Sequence, residues 1–113
     1  MSFDFNIIIP VYNEGENLIK VINHLKKEVK GNYQIIICYD DDSDNLFQFI
    51  DKILNINNNI KLLKNNYYGP CGAVKTGLEK SDTNAMIVYP ADDLINGNIL
   101  DDMYKSYLEG YDI

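Results

Sequence analysis

A chain of 113 residues has room for one modest hydrophobic core and too little for two. Seventeen acidic against ten basic side chains give a net charge of −7, with no Lys/Arg block to meet a nucleic-acid backbone or an anionic membrane, so an anionic substrate would need a cation between it and the protein. Two cysteines without CxxC spacing or nearby histidines argue against a zinc site and for a reduced, cytoplasmic setting, and no apolar run approaches the roughly 18 residues that span a bilayer.

Four short apolar runs alternate with four segments of helical spacing, the pattern of an α/β domain with a mostly parallel sheet flanked by helices. The first run, Asn6 to Val11, contains Ile7-Ile8-Ile9. Such a β-branched, uninterrupted stretch suits a strand buried on both faces. Leu18, Ile22, Leu25 and Val29 then trace one face of a helix, with Gly31 placed to end it. Tyr33 to Tyr39, built around Ile35-Ile36-Ile37, is the second central strand. Leu46, Phe49, Ile50 and Ile53 mark a second helix, with Ser43 or Asp44 as its cap. The Asn-rich stretch 55–59 is expected to be a turn. Ile60 to Leu63 is the third strand, Ala73 to Leu78 a shorter helix, and Ala85 to Tyr89 the fourth strand. Ile99, Leu100, Met103, Tyr107 and Leu108 give a last helix ending near Gly110. Tyr111-Asp112-Ile113 resembles the opening of another strand, so residues 1–113 are expected to be a single α/β domain belonging to the N-terminal portion of a larger one.

The polar residues collect just after the strands, where an open α/β sheet binds its ligands. Pro10-Val11-Tyr12-Asn13-Glu14 ends the first strand with a ring and a carboxylate, although Asn13 as a helix cap and Glu14 at the positive end of the dipole would need no ligand. Asp40-Asp41-Asp42-Ser43-Asp44-Asn45 ends the second. Adjacent carboxylates repel unless a cation, a donor group or solvent relieves them. A solvated turn with an Asx cap is one account of this cluster, and a calcium loop using Asp40, Asp42, Asp44 and Asp51 is another. The calcium loop lacks the turn glycine, has Asp in place of the final Glu, and follows a strand in place of a helix. Gly69-Pro70-Cys71-Gly72-Ala73-Val74-Lys75-Thr76-Gly77 is a glycine-punctuated turn opening a helix, a place for close backbone approach or an anion. It fits neither GxxxxGK[ST] nor GxGxxG, and Lys75 could reach a phosphate or lie along the surface. Asp92 and Asp93 follow the fourth strand. Mg²⁺ and Mn²⁺ take one or two such carboxylates plus phosphate oxygens, and Asp is equally a good cap.

In this order and at this spacing, the four motifs resemble the N-terminal, nucleotide-sugar-binding half of the family 2 glycosyltransferases, enzymes of the GT-A fold (a Rossmann-like arrangement) that include the polyprenyl-phosphate sugar synthases. The resemblance covers essentially the whole chain. It implies sugar transfer from a nucleoside-diphosphate sugar to an acceptor such as a lipid phosphate or a saccharide, divalent-metal-assisted and with inversion. It implies that Pro10, Val11, Tyr12 and Glu14 line the base and ribose, that Asp40 or Asp41 contacts the base, and that Gly69, Gly72 and Lys75 border the nucleotide or stabilise its loop. Asp93, with Asp92 beside it, would hold Mg²⁺ or Mn²⁺ against the diphosphate. The family's first motif Asp falls on Ala91, which leaves Asp92 to compensate or metal binding impaired. No catalytic base is expected here, since in this family it comes from the C-terminal half. The isolated chain is therefore expected to bind donor nucleotide and turn over little, and a full-length protein could be membrane-associated. The reading from another class is a non-catalytic acidic α/β module, such as a phosphate-receiving regulatory domain, that binds a divalent ion or a partner protein.

Overall fold

The computed structural model describes residues 3–111; the expected strand opening at Asp112 and Ile113 lies outside them, and Tyr111 is irregular. Four strands, β1 (Phe5–Val11), β2 (Tyr33–Tyr39), β3 (Ile60–Lys64) and β4 (Met86–Val88), form one sheet in the order β3-β2-β1-β4. Every pairing is parallel, with Ile7, Ile8 and Ile9 against Ile35, Ile36 and Ile37, so all four carboxyl ends reach the same edge. The two isoleucine-rich strands are the central pair, as their lack of alternation predicts. Helices cover both faces, and Ile7, Ile8, Ile9 and Ile37 are fully buried.

Helix α1 (Gly15–Glu28) buries Leu18, Ile22 and Leu25, with Val29 just beyond it, against the sheet. Gly31 does not end it. The chain leaves the helix through extended Val29, and Gly31 is instead held by the Asp101 carboxylate, whose Oδ1 accepts its N–H at 2.9 Å. The expected second helix is two pieces, a 3₁₀ turn over Asn45–Phe49 and α2 (Ile50–Ile56), with Leu46 and Ile53 buried. The Asp44 carboxylate caps the turn by accepting the Leu46 N–H. In the asparagine stretch, Asn59 is more than a turn residue, because its buried amide donates to Tyr33 O at 2.9 Å and fastens the start of β3 to β2.

Helix α3 (Gly69–Lys80) is longer than the apolar pattern indicates, because the glycine-punctuated stretch forms its first turns. β4 is correspondingly short, although Ala85 O and Tyr89 N bond to β1 on either side of it. A 3₁₀ turn over Asn96–Ile99 leads into α4 (Leu100–Leu108), which ends before Gly110 at φ 97°, as expected.

Candidate functional site

At the carboxyl edge of the sheet lies a cavity of about 420 Å³. β1 and the turn after it contribute Pro10, Val11, Tyr12 and Glu14; β2 contributes Cys38 and Asp40; the first turn of α3 contributes Gly69, Pro70 and Ala73. A smaller depression of about 100 Å³ adjoins it, bordered by Tyr12, Asn13, Asp40, Asp41, Ser43 and Asp44. The floor is thus largely apolar, with two carboxylates and a 73% exposed tyrosine ring at the rim.

The acidic cluster after β2 divides its labour. Asp40 lines both hollows, and its Oδ1 accepts the Asn65 amide at 2.7 Å while Oδ2 accepts the Gly69 N–H at 3.1 Å. Each oxygen keeps a second lone pair. Asp41 sits only at the smaller depression, where the Ser43 backbone N–H, then its side chain and Lys64, hold its carboxyl below the usual range. Asp42 pairs with Lys64 at the surface, 3.3 Å away. Asp44 is buried and accepts the Asn13 N–H at 2.9 Å and the Leu46 N–H at 2.8 Å. With Asp40, Asp42 and Asp44 turned to three different partners, and Asp51 exposed on α2, the calcium-loop account fails.

Asn13 does not cap α1. Its φ is 53°, a left-handed conformation, and Glu14 occupies the cap position without a side-chain bond. Asn13 is held there from the other side of the crevice: Asn45 N–H donates to its Oδ1 at 3.0 Å, the Asn45 amide donates to its carbonyl at 3.1 Å, and Asn45 Oδ1 accepts the Gly15 N–H at 2.9 Å. Gly15 must lack a side chain, because a Cβ would lie 2.8 Å from Leu46 Cα. This latch between the β1 and β2 loops fixes Tyr12 and Glu14. Sequence reasoning missed it. The only signal was the pairing of two Asn residues with φ-tolerant chemistry at the two strand ends.

Gly72 and Lys75 stand apart from the cavity. A Cβ on Gly72 would meet Tyr67 Cβ at 2.7 Å, so its role is close packing of α3 on the segment before it, and the Lys75 ammonium lies over the Tyr67 ring, 4.5 Å from its centroid. Asp92 and Asp93 do not line it either; they follow β4, beside β1, at the same edge of the sheet.

Asp93 is heavily bonded. Its Oδ2 accepts the Asn96 side-chain amide at 2.7 Å, its Oδ1 accepts the backbone N–H groups of Ile95 and Asn96, both at 2.9 Å, and the one Tyr89 O–H is shared between the Asp93 backbone carbonyl at 2.9 Å and Oδ1 at 3.1 Å. These donors, the Asn96 amide foremost, push its carboxyl down to about 2. Burial and the same carboxylate push the Tyr89 hydroxyl far up, keeping it a donor. Asp92 is exposed and has no bond among the described residues, whereas Ala91 is 4% exposed within the core, so the residue where the family's first motif Asp falls faces inward. The donor set fits a hard divalent ion whose remaining ligands come from phosphate oxygens and water: Asp92 makes no side-chain bond among the described residues, Asp93 is ionised, and its Oδ2 carries one bond. Among the described residues no group of three His, Cys, Asp or Glu forms a ready-made cage. No helix there is long and apolar enough to cross a membrane. Both cysteines are free, Cys38 with its thiol pushed up to about 11 by burial and by Asp40.

The chain is 29% identical over 113 residues to the undecaprenyl-phosphate 4-deoxy-4-formamido-L-arabinose transferase of Proteus mirabilis, an alignment covering 96% of this chain and 35% of that protein. Its fold superposes on S. aureus TarS 1-349 in complex with UDP with a TM-score of 0.75, at 23% identity over 94% of this chain and 32% of the other. It superposes on the mannosyltransferase PcManGT of Pyrobaculum calidifontis, in complex with GDP-Man and Mn2+, with a TM-score of 0.72, at 13% identity over 88% of this chain and 30% of the other. These neighbours have the GT-A fold, and the chain spans little more than a third of the length of the relatives it matches. The sequence pattern described as Glycosyl transferase family 2 matches residues 6–113, nearly the whole chain, and with it the regulatory-module reading falls away: this chain belongs to glycosyl transferase family 2.

Proposed function

We propose that this chain supplies the donor-nucleotide side of a glycosyltransferase that moves a sugar from a nucleoside diphosphate to an acceptor with inversion. The observation that carries the reading is the cavity at the carboxyl edge of the sheet, lined by Pro10, Val11, Tyr12, Glu14, Asp40 and Gly69. Its chemistry suits a nucleotide. The exposed Tyr12 ring offers a stacking face, and the unused lone pairs of Asp40 would accept N–H groups of a base or hydroxyls of a ribose. The first turn of α3 directs positive dipole charge toward the same space, and because Asp40 already takes its Gly69 N–H a diphosphate there would also need the divalent cation. Asp40, bonded within the cavity, is the better candidate for the base contact than Asp41.

Asp92 and Asp93 would hold the divalent ion, Mg²⁺ or Mn²⁺, which when bound would neutralise charge on the departing diphosphate. Tyr89 and Asn96 would act on Asp93 by fixing the direction of its lone pairs. The acceptor, a lipid phosphate or a saccharide, and the base that activates it would belong to sequence beyond the third of the relatives that this chain matches. A cytoplasmic setting, the reading that the two cysteines without CxxC spacing suggest, would be where the reaction draws its donor.

Titration calorimetry of the purified chain with UDP and GDP, each with and without Mn²⁺, tests the proposal. One nucleotide should bind in a metal-dependent manner, and Asp93→Ala should remove the metal dependence while leaving weak nucleotide binding. Binding indifferent to metal in both proteins would sink the assignment of the acidic pair, and robust sugar transfer by the chain alone would refute the absence of a base.

A further inference from the structure

The connection between β3 and α3 is organised by a side chain that does not line the cavity. Asn65 is 7% exposed and uses all four hydrogen-bonding positions of its amide. Its Nδ2 donates to Asp40 Oδ1 at 2.7 Å and to Gly69 O at 3.1 Å. Its Oδ1 accepts the Tyr67 N–H at 2.9 Å and the hydroxyl of the fully buried Thr76 at 2.8 Å. Thr76 in turn accepts the Asn66 N–H at 3.0 Å, and Asn65 N–H donates to Tyr39 O at 2.7 Å. Acceptors lie on one side of the amide and donors on the other, so its orientation is set and a flip would mismatch every bond.

We infer that Asn65 is the positioning residue for the Asp40 carboxylate and the first turn of α3, the two groups that meet across the nucleotide cavity. The inference rests on the reading of that cavity as a nucleotide site. Both oxygens of Asp40 are directed by this segment, one by the Asn65 amide and one by the Gly69 N–H, and Asn65 ties the Gly69 carbonyl as well. Among the described residues no other side chain donates to Asp40. The titratable groups facing Asp40 are Glu14 and Cys38 in the cavity and Tyr12, Asp41 and Asp44 around the adjoining depression; none is cationic. The nearby lysines are engaged elsewhere, Lys64 with Asp42 and Lys75 over Tyr67.

Asn65→Asp keeps the shape and sets a carboxylate against a carboxylate, a pair that relaxes by sharing one proton. The test is calorimetry with UDP and GDP on wild type, Asn65→Asp and Asn65→Leu, from about pH 8 down to about pH 5, where such a shared proton is taken up. Asn65→Asp should lose roughly tenfold or more of the wild-type affinity near neutrality and recover part of it on acidification, as the shared proton replaces the N–H that bonded Asp40 while the one that bonded Gly69 O stays missing. Asn65→Leu should lose affinity without that recovery. A structural role alone would make the two variants parallel, and that result, or an Asn65→Asp affinity within twofold of wild type at neutral pH, overturns the inference. If Asn65→Asp does not fold, Thr76→Val should weaken binding while Thr76→Ser keeps it; equal affinities would be the refutation. If wild type binds neither nucleotide, the functional proposal fails while the positioning role is still decided by the Gly69 amide resonance, which should titrate with the shared proton in Asn65→Asp and not in wild type.

Discussion

Asp44→Ala should destabilise the fold and open the cavity proposed to take the nucleotide, although Asp44 lies in the turn between β2 and α2. The buried carboxylate accepts two backbone N–H groups, from Asn13 at 2.9 Å and from Leu46 at 2.8 Å. Hydrogen bonds to a charged group contribute about 1.5–3 kcal/mol each, and a lost N-cap alone costs roughly 1 kcal/mol. Water can reach part of the vacated space, so the expected loss is below the simple sum, about 2–4 kcal/mol. In a domain of this size that lowers Tm by roughly 8–20 °C. The Asn13 N–H matters most for function, because Asn13 sits at φ 53° and that conformation costs roughly 1 kcal/mol unless it is held. Released, the turn carrying Tyr12 and Glu14 relaxes away from the cavity. Urea denaturation gives the stability term, and a double-mutant cycle with Asn45→Ala should return a coupling of about 0.5–3 kcal/mol, since both residues hold the same turn. A loss below about 0.5 kcal/mol, the range of an ordinary surface change, would refute the latch.

Gly15→Ala should cost about 1–2 kcal/mol in the same urea assay, because overpacking against Leu46 Cα at 2.8 Å outweighs the roughly 1 kcal/mol gained in helix propensity. For Asp93 the folded carboxyl lies near 2 against an ordinary 3.8, so its stabilising contribution is present above about pH 4 and is lost as pH falls toward 2. Asp93→Asn should therefore flatten the acid limb of the urea midpoint plotted against pH, and parallel limbs would contradict the bonding described. Tyr89→Phe should raise the half-saturating Mn²⁺ concentration in the nucleotide titration severalfold, because the hydroxyl that meets both the Asp93 carbonyl at 2.9 Å and its Oδ1 at 3.1 Å no longer fixes that residue. With a thiol reagent near pH 8, exposed Cys71 should react at once and Cys38, buried and pushed up to about 11, only on unfolding.

Strands and helices were legible because burial leaves a period in the sequence. The uninterrupted isoleucines of β1 and β2 announced central strands, and the Leu18-Ile22-Leu25 spacing announced α1. Long-range polar contacts leave no such trace. Nothing local says that Gly31 answers to Asp101 in place of ending a helix, or that Asn65, twenty-five residues from Asp40, orients it. The glycine-punctuated stretch reads as a turn yet forms the first turns of α3, because a packing contact decides it. Glycine lowers helix propensity, but Gly72 is needed where α3 passes Tyr67, and packing outweighed propensity. The geometry of the candidate site was partly legible: strand-end position brings Tyr12, Glu14, Asp40 and Gly69 to one cavity, whereas Lys75 turns to Tyr67, a preference set by a side chain eight residues earlier.

The most direct measurement is a ¹⁵N NMR titration of the chain with whichever of UDP or GDP it binds, followed by trace Mn²⁺. The account predicts that the amides of Tyr12, Glu14, Asp40 and Gly69 shift on adding nucleotide, and that Mn²⁺ then broadens Asp92 and Asp93 far more strongly with nucleotide present than without it. Shifts confined to another surface, or broadening of Asp92 and Asp93 that ignores the nucleotide, would contradict a single donor site at the carboxyl edge of the sheet.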